Sequence, residues 1–151
     1  MKLNAKFASV YLRVAIGLAY LWEVADRIGL LGANGQPHVG WGDWAHFLNY
    51  AKKVMVFLPN GAVPALAVLA SIGEAVLGAL LLIGLFTRVA AIGSGILSLL
   101  FALAMAISFG IESPLGYSVF TLSAASFLLS TLPAYPWSID ALRLKNKEDN
   151  K

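Results

Sequence analysis

Glu74 is a single carboxylate in the middle of an otherwise apolar run, Ser71 to Arg88, "SIGEAVLGALLLIGLFTR". A first apolar run carries four more ionisable groups, Arg13, Glu23, Asp26 and Arg27. In a membrane each costs about 2.5–3.5 kcal/mol or more near a helix centre unless it finds water or a partner. At 100° per residue Arg13, Tyr20 and Arg27 fall within about 40° of one another, with Glu23 on the flank of that stripe. Glu23 and Arg27 also have the favourable i, i+4 order, which predicts an ion pair near the outer end of the helix. Arg13, Asp26 and Arg27 can equally serve by snorkelling or structural pairing. Glu74 lies about 18 Å from either end of its run and cannot snorkel, so it must face other helices. Tyr20 falls at a similar depth. The expected site is a polar cavity enclosed by Arg13, Tyr20, Glu23, Arg27 and Glu74, with Gly78 one turn on admitting a neighbouring helix or a ligand. In low dielectric Glu74 stays protonated unless an arginine pairs with it. Glu74 and Arg13 are then the candidate catalytic groups, as donor and acceptor for a quinone-like carbonyl or as a relay for transported protons. A purely structural carboxyl, hydrogen-bonded to a neighbouring helix, is the competing reading.

Other chemistries find little in the residue list. The chain contains no cysteine, so it offers no thiol nucleophile, disulfide or thiolate ligand. Its two histidines, His38 and His46, sit in one loop, and no metal-ligand spacing is present. Gly93-Ser94-Gly95 lacks the strand and loop that a nucleotide fingerprint needs. No intrinsic cofactor is expected; a borrowed one, such as membrane quinone, is compatible with the polar stripe.

The elements that must position these groups follow from hydropathy. With 59% hydrophobic and 13% charged residues, and a mean hydropathy of +0.76, the 151-residue chain reads as an integral membrane protein. Four apolar stretches, at about 7–31, 62–86, 89–109 and 115–132, approach the roughly 20 residues of a spanning helix. Without period-2 alternation they predict an all-α, four-transmembrane-helix bundle forming one membrane domain. The N-terminal stretch is too long and too charged for a cleaved signal peptide. Between the first two stretches, Trp44, Phe47, Leu48, Ala51, Met55 and Leu58 recur at helical spacing after Asp43, a plausible N-cap. An amphipathic interfacial helix over 43–58, able to lid the bundle, is expected in this external loop. Gly73, Gly78, Gly84, Gly93 and Gly95 suit close helix packing, and the hydroxyls of the last stretch suit interhelical bonds. Arg88 is expected to be a structural stop at the end of the second span.

Lys2, Lys6, Arg88, Arg143, Lys145, Lys147 and Lys151 cluster in the N-terminus, the second loop and a tail over 138–151 that opens with a helical turn capped by Ser138. The positive-inside rule therefore places both termini in the cytoplasm. The basic excess reads as orientation and lipid contact, and nucleic-acid binding is not expected.

The segment "EAVLGALLLIGLFTRVAA", with Glu74, Gly78 and a Gly84-x-x-Thr87-Arg88 exit, resembles the DoxX family of bacterial four-helix inner-membrane proteins. "YLRVAIGLAYLWEVADRIG" is similar to that family's first helix, placing Arg13, Gly17 and Arg27 on motif positions. The resemblance implies structural roles for Gly17, Gly84 and Arg88. It also implies kinship with the membrane subunit of thiosulfate:quinone oxidoreductase, and hence a quinone-interacting or accessory subunit with a periplasmic or membrane redox partner. Lacking cysteine and metal-ligand spacing, this chain is not expected to oxidise thiosulfate alone. A non-enzymatic scaffold and a proton-linked carrier acting as a homodimer remain the alternatives.

Overall fold

The computed structural model describes residues 5–148. Lys2 and Lys151, and the extreme tail, lie outside the described residues. Among the described residues there are seven helices and no strand: α1 (Ala5–Arg27), α2 (Trp44–Val54), α3 (Val63–Ile83), α4 (Thr87–Phe109), α5 (Glu112–Gly116), α6 (Val119–Ser130) and α7 (Ile139–Glu148). α1, α3 and α4, with 23, 21 and 23 residues, are long and apolar enough to cross a membrane. Their outward faces carry Leu69, Ile72, Val76, Val89, Leu100 and Ile107, all exposed, as a surface that meets hydrocarbon requires.

The fourth apolar stretch differs from the expected single helix. Its chain breaks at Ser118, which takes a left-handed φ of 58°, so the apolar residues divide between α5 and a 12-residue α6. Hydropathy does not register such a break, because the residues on both sides of it remain apolar. The α3–α4 turn also differs in register. Gly84 ends α3 at φ 70°, and the N–H groups of Gly84 and Leu85 both close on the Leu80 carbonyl, at 2.9 and 3.0 Å. Thr87 and Arg88 are therefore the first residues of α4 and not the loop.

α1 packs on α3, and α4 on α6, with the α3–α4 hairpin joining the two pairs. The α1–α3 crossing is set by glycine: a Cβ on Gly17 would stand 2.9 Å from the Gly78 carbonyl, and one on Gly78 would stand 3.0 Å from the Gly17 carbonyl. In the second pair Gly95 faces the Phe127 ring, the Ser123 hydroxyl donates to the Gly95 carbonyl at 2.8 Å, and Ser94 bonds Ser126 at 3.1 Å. Tyr20 ties the pairs together, bonding the Ser94 carbonyl at 2.8 Å and the Ser98 hydroxyl at 2.6 Å. Of the hydroxyls in the last stretch, Ser123 and Ser126 thus bond across helices as expected, while Ser130 and Thr131 bond back to the carbonyls of Phe127 and Leu128.

The two ends of the bundle are closed differently. At one end α2 lies across α3, burying Phe47, Ala51 and Val54 and exposing His46, Asn49, Lys52 and Lys53. Asp43 caps it as expected, accepting from the His46 amide at 2.9 Å, and the helix stops at Val54, short of Leu58. At the other end α7 docks. Ser138 caps it, accepting from the Ala141 amide at 3.0 Å, while the Asp140 amide donates to the Gly84 carbonyl at 2.9 Å. The Asp140 carboxylate accepts from the amides of Phe86 and Thr87 at 3.0 and 2.7 Å, filling the N-terminus of α4. Partial burial pushes this carboxyl up, but the two amides outweigh it and hold it below the ordinary carboxylate range.

Two expected outcomes follow from this packing. Gly17→Val must force the α1 and α3 backbones apart and should cost about 1–3 kcal/mol. Gly73→Ala should be neutral, because its Cβ would meet only Leu97 at an ordinary 3.5 Å; equal melting temperatures for both variants in detergent would contradict the crossing. Because the Asp140 carboxyl is depressed, its stabilisation is complete above its unfolded value and lost as pH falls through the folded one. Acid unfolding of Asp140→Asn should therefore be flatter below the ordinary carboxylate range than that of the parent, as read by helix content against pH.

Candidate functional site

Beneath α2 lies a cavity of 820 Å³, walled by the lid-side halves of α1, α3 and α4 and by the α5–α6 junction. Its centre is the pair Arg27–Glu74. The Arg27 guanidinium engages Glu74 through both terminal nitrogens, Nη1 to Oε2 and Nη2 to Oε1, the latter at 3.1 Å. Nη1 also donates to the Ser71 hydroxyl at 2.9 Å, and the guanidinium carbon lies 4.1 Å from the centre of the Phe47 ring. The two side chains are only 7% and 3% exposed. One arginine thus joins α1, α3 and the lid helix through a planar fork, a set of contacts that lysine could not reproduce.

This pairing corrects two expectations, that Glu23 partners Arg27 and that Arg13 lies near Glu74. Taking the Gly17–Gly78 crossing as the common level, Glu74 stands about 6 Å towards the lid, Arg27 about 15 Å towards it, and Arg13 about 6 Å the other way. Helical side chains lean towards their own N-terminus. On antiparallel α1 and α3, Arg27 and Glu74 therefore lean towards each other, while Arg13 leans away. Arg13 accordingly leaves the cavity and donates to the carbonyls of Trp137 at 2.7 Å and Pro136 at 3.4 Å, fastening the α7 end. Glu23 stays on the exposed cavity rim, 3.5 Å from the Trp41 indole nitrogen.

The other expected residues divide similarly. Tyr20 lines the cavity beside Glu74, though its hydroxyl is committed to α4. Gly78 belongs to the helix crossing and not to the cavity wall. Gly84 serves the α3–α4 turn, where its left-handed conformation is matched by close approach: a Cβ there would strike Ser138 and Arg13. Arg88 is structural, but not as a stop on the second span. It sits in the first turn of α4 and reaches the Leu132 carbonyl at 3.3 Å, supporting the C-terminal end of α6.

Several site residues had no particular partner assigned from sequence. Asp26 accepts from the amides of Gly40, Trp41 and Gly42 at 2.9, 2.9 and 3.1 Å, pinning the loop that carries Trp41 over the cavity. The glycines of "GWG" are the signal that could have revealed it, since a Cβ on Gly40 would stand 2.8 Å from the carboxylate. Ser71, one turn before Glu74, could have been found by i, i+3 spacing. Trp41, Phe47 and Tyr50 form an aromatic roof, with Trp41–Tyr50 centroids 4.5 Å apart, and Tyr50 continues to Phe109 at 5.9 Å. Burial pushes the Tyr50 phenol up, helped by the nearby Tyr117 and Glu23, so it remains a hydrogen-bond donor. Tyr117, largely exposed, adds a second phenol to the cavity lining.

The cavity thus combines an aromatic roof with the phenols of Tyr50 and Tyr117 in its lining. Among the described residues no group of His, Asp or Glu is placed to hold a metal ion. No family model, curated protein or solved structure matches this chain.

Removing one partner of a buried pair costs about 3–5 kcal/mol, because a charge is left uncompensated, whereas replacing both with apolar residues is near neutral. Glu74→Ala should therefore melt well below the parent in detergent, and Arg27→Met combined with Glu74→Leu should recover most of the loss. An additive double variant would show that the two groups are not coupled.

Proposed function

We propose that the chain is a DoxX-like bacterial inner-membrane protein that crosses the bilayer four times and binds a quinone-class ligand as a subunit of a membrane redox complex. The observation that carries this reading is the 820 Å³ cavity roofed by Trp41, Phe47 and Tyr50. Its volume falls within the roughly 300–1,000 Å³ of small-molecule sites, and such sites pair apolar walls with a few polar groups. The ring of a quinone would lie against the aromatic roof, with Tyr50 and Tyr117 donating to its carbonyl oxygens. Trp22 and Tyr117, both on the rim and both outward-facing, leave a route from the hydrocarbon for a lipid-soluble tail. The Arg27–Glu74 pair would fix the wall and orient Phe47. With no thiol of its own, the chain would take electrons from a redox partner, its own residues binding the ring and supplying protons at its oxygens.

Four crossings are supported by the path of the chain. α5 and α6 return it from the lid end to the end where α7 and the start of α1 meet, as a fourth pass by the short α6 would require. Lys6, Arg88, Arg143 and Lys145 all belong to that α7 end, which supports a cytoplasmic placement for it. The DoxX-like motif agrees, since Gly17, Gly78 and Gly84 occupy packing positions in both helices that carry the resemblance.

A structural scaffold is the second reading, favoured by the complete use of the Glu74 carboxylate by Arg27. Retained quinone in protein extracted gently from the native membrane decides between them. The quinone reading expects a stoichiometric quinone in the parent. It also expects about fivefold weaker retention in Tyr50→Phe, the worth of one hydrogen bond near 1 kcal/mol. Glu74→Gln keeps one of the two oxygens that accept from Arg27 and leaves the guanidinium charge uncompensated, so in either case it should fold with a melting temperature below the parent's. A parent without quinone, whose Glu74→Gln variant is fully active in the native complex, would leave only the scaffold.

A further inference from the structure

The α7 end holds a second pocket, of 620 Å³, between the start of α1, the first turn of α4, the turn after α6 and α7. Lys6, Arg88 and Arg143 line it, each from a different helix. Asp140 is the single carboxylate among its lining residues, and its two oxygens are engaged by the Phe86 and Thr87 amides at 3.0 and 2.7 Å. Arg88 commits one nitrogen, at 3.3 Å, to the Leu132 carbonyl. A guanidinium carries five N–H donors, so most of its fork remains for another acceptor. Arg143 lies 5.4 Å over the Phe86 ring and its charge also acts on the Asp140 carboxylate, while no hydrogen bond among the described residues uses its N–H donors.

The remaining wall is apolar, with Val89, Leu132, Pro133 and Leu144. Cationic donors above an apolar wall suit an amphiphile with an anionic head. The pocket also lies at the level where α1 begins, α3 turns into α4 and α6 ends, which in a membrane is where hydrocarbon gives way to headgroups. Trp137 and Phe86, 70% and 57% exposed, flank that level as interfacial aromatics do.

We propose that this pocket binds the phosphodiester headgroup of an anionic phospholipid, Arg88 and Arg143 donating to the phosphate oxygens while the apolar wall covers the glycerol and the first acyl carbons. The site stands apart from the lidded cavity and holds whether or not that cavity takes a quinone. Arg88 then has two functions, supporting the end of α6 and presenting a guanidinium to the lipid.

The full chain in mild detergent, titrated with phosphatidylglycerol or phosphatidylcholine and read by native mass spectrometry, tests it. Phosphatidylglycerol should be retained in preference to phosphatidylcholine. Arg88→Gln and Arg143→Gln should each weaken that retention about fivefold, the share of one cation near an anionic surface. Lys145→Gln, exposed on α7 and outside the pocket lining, should leave it unchanged. If Arg88→Gln fails to fold, Arg143→Gln alone carries the measurement. Equal retention of the two lipids, or an equal loss in Lys145→Gln, would show diffuse attraction instead of a site. Displacement of the lipid by inorganic phosphate at comparable concentration would show a free-anion site and overturn the lipid assignment.

Discussion

The Arg27–Glu74 pair is the constraint on which the rest of the lid end depends. Helices in lipid gain nothing from hydrophobic burial against one another, so their register must come from packing and from polar groups that hydrocarbon will not tolerate alone. Here both act on the same two helices. Gly17 and Gly78 bring α1 and α3 to backbone contact at one level, and the pair joins them nearer the lid. Two points of attachment define both the height and the rotation of one helix against the other. The guanidinium then extends the constraint outward, since Phe47 rests on its face and so places α2.

The sequence revealed elements and caps well, because these depend on local chemistry. The apolar runs that became α1, α3 and α4, the cap at Asp43, the cap at Ser138 and the amphipathic split of α2 were all readable. Gly84 was read as a packing position, which the approach of Ser138 agrees with, but its left-handed turn was not read. Partners were harder to read. Depth counted along each helix separately put Tyr20 near Glu74 correctly, but it treated side chains as points at their own Cα. A long arginine near the lid end leans down and a mid-span glutamate on the antiparallel neighbour leans up, which the count by residue number misses. Arg13 was misplaced for the same reason, its side chain leaning towards the carbonyls of Pro136 and Trp137.

Backbone breaks were the second source of error. The stretch through Ser118 is apolar enough to pass for one helix, and only its left-handed φ divides it. The shift of Thr87 and Arg88 from the end of one helix to the start of the next has a comparable origin. Gly84 ends α3 earlier than hydropathy does, and Asp140, far along the chain, fills the start of α4. A cap supplied from more than fifty residues away leaves no local signature in the residues it caps.

The two ends of the bundle also pack differently. Towards α7 the helix pairs meet through glycine, alanine and serine: Gly17 on Gly78, Gly95 under Phe127, Ala90 and Ala91 in the core beside Leu129. Towards the lid α6 begins only at Val119, and a cavity lies between the pairs, lined by Ala67 and Ala70 of α3 and by Phe101 and Met105 of α4. The helices there are joined by the polar pair, the aromatic roof and the apolar cluster of Phe47, Ala51, Val63 and Ala67. A ligand in that cavity would touch α1, α2, α3 and α4 at once. By mass action its binding would then add to the stability of the lid end.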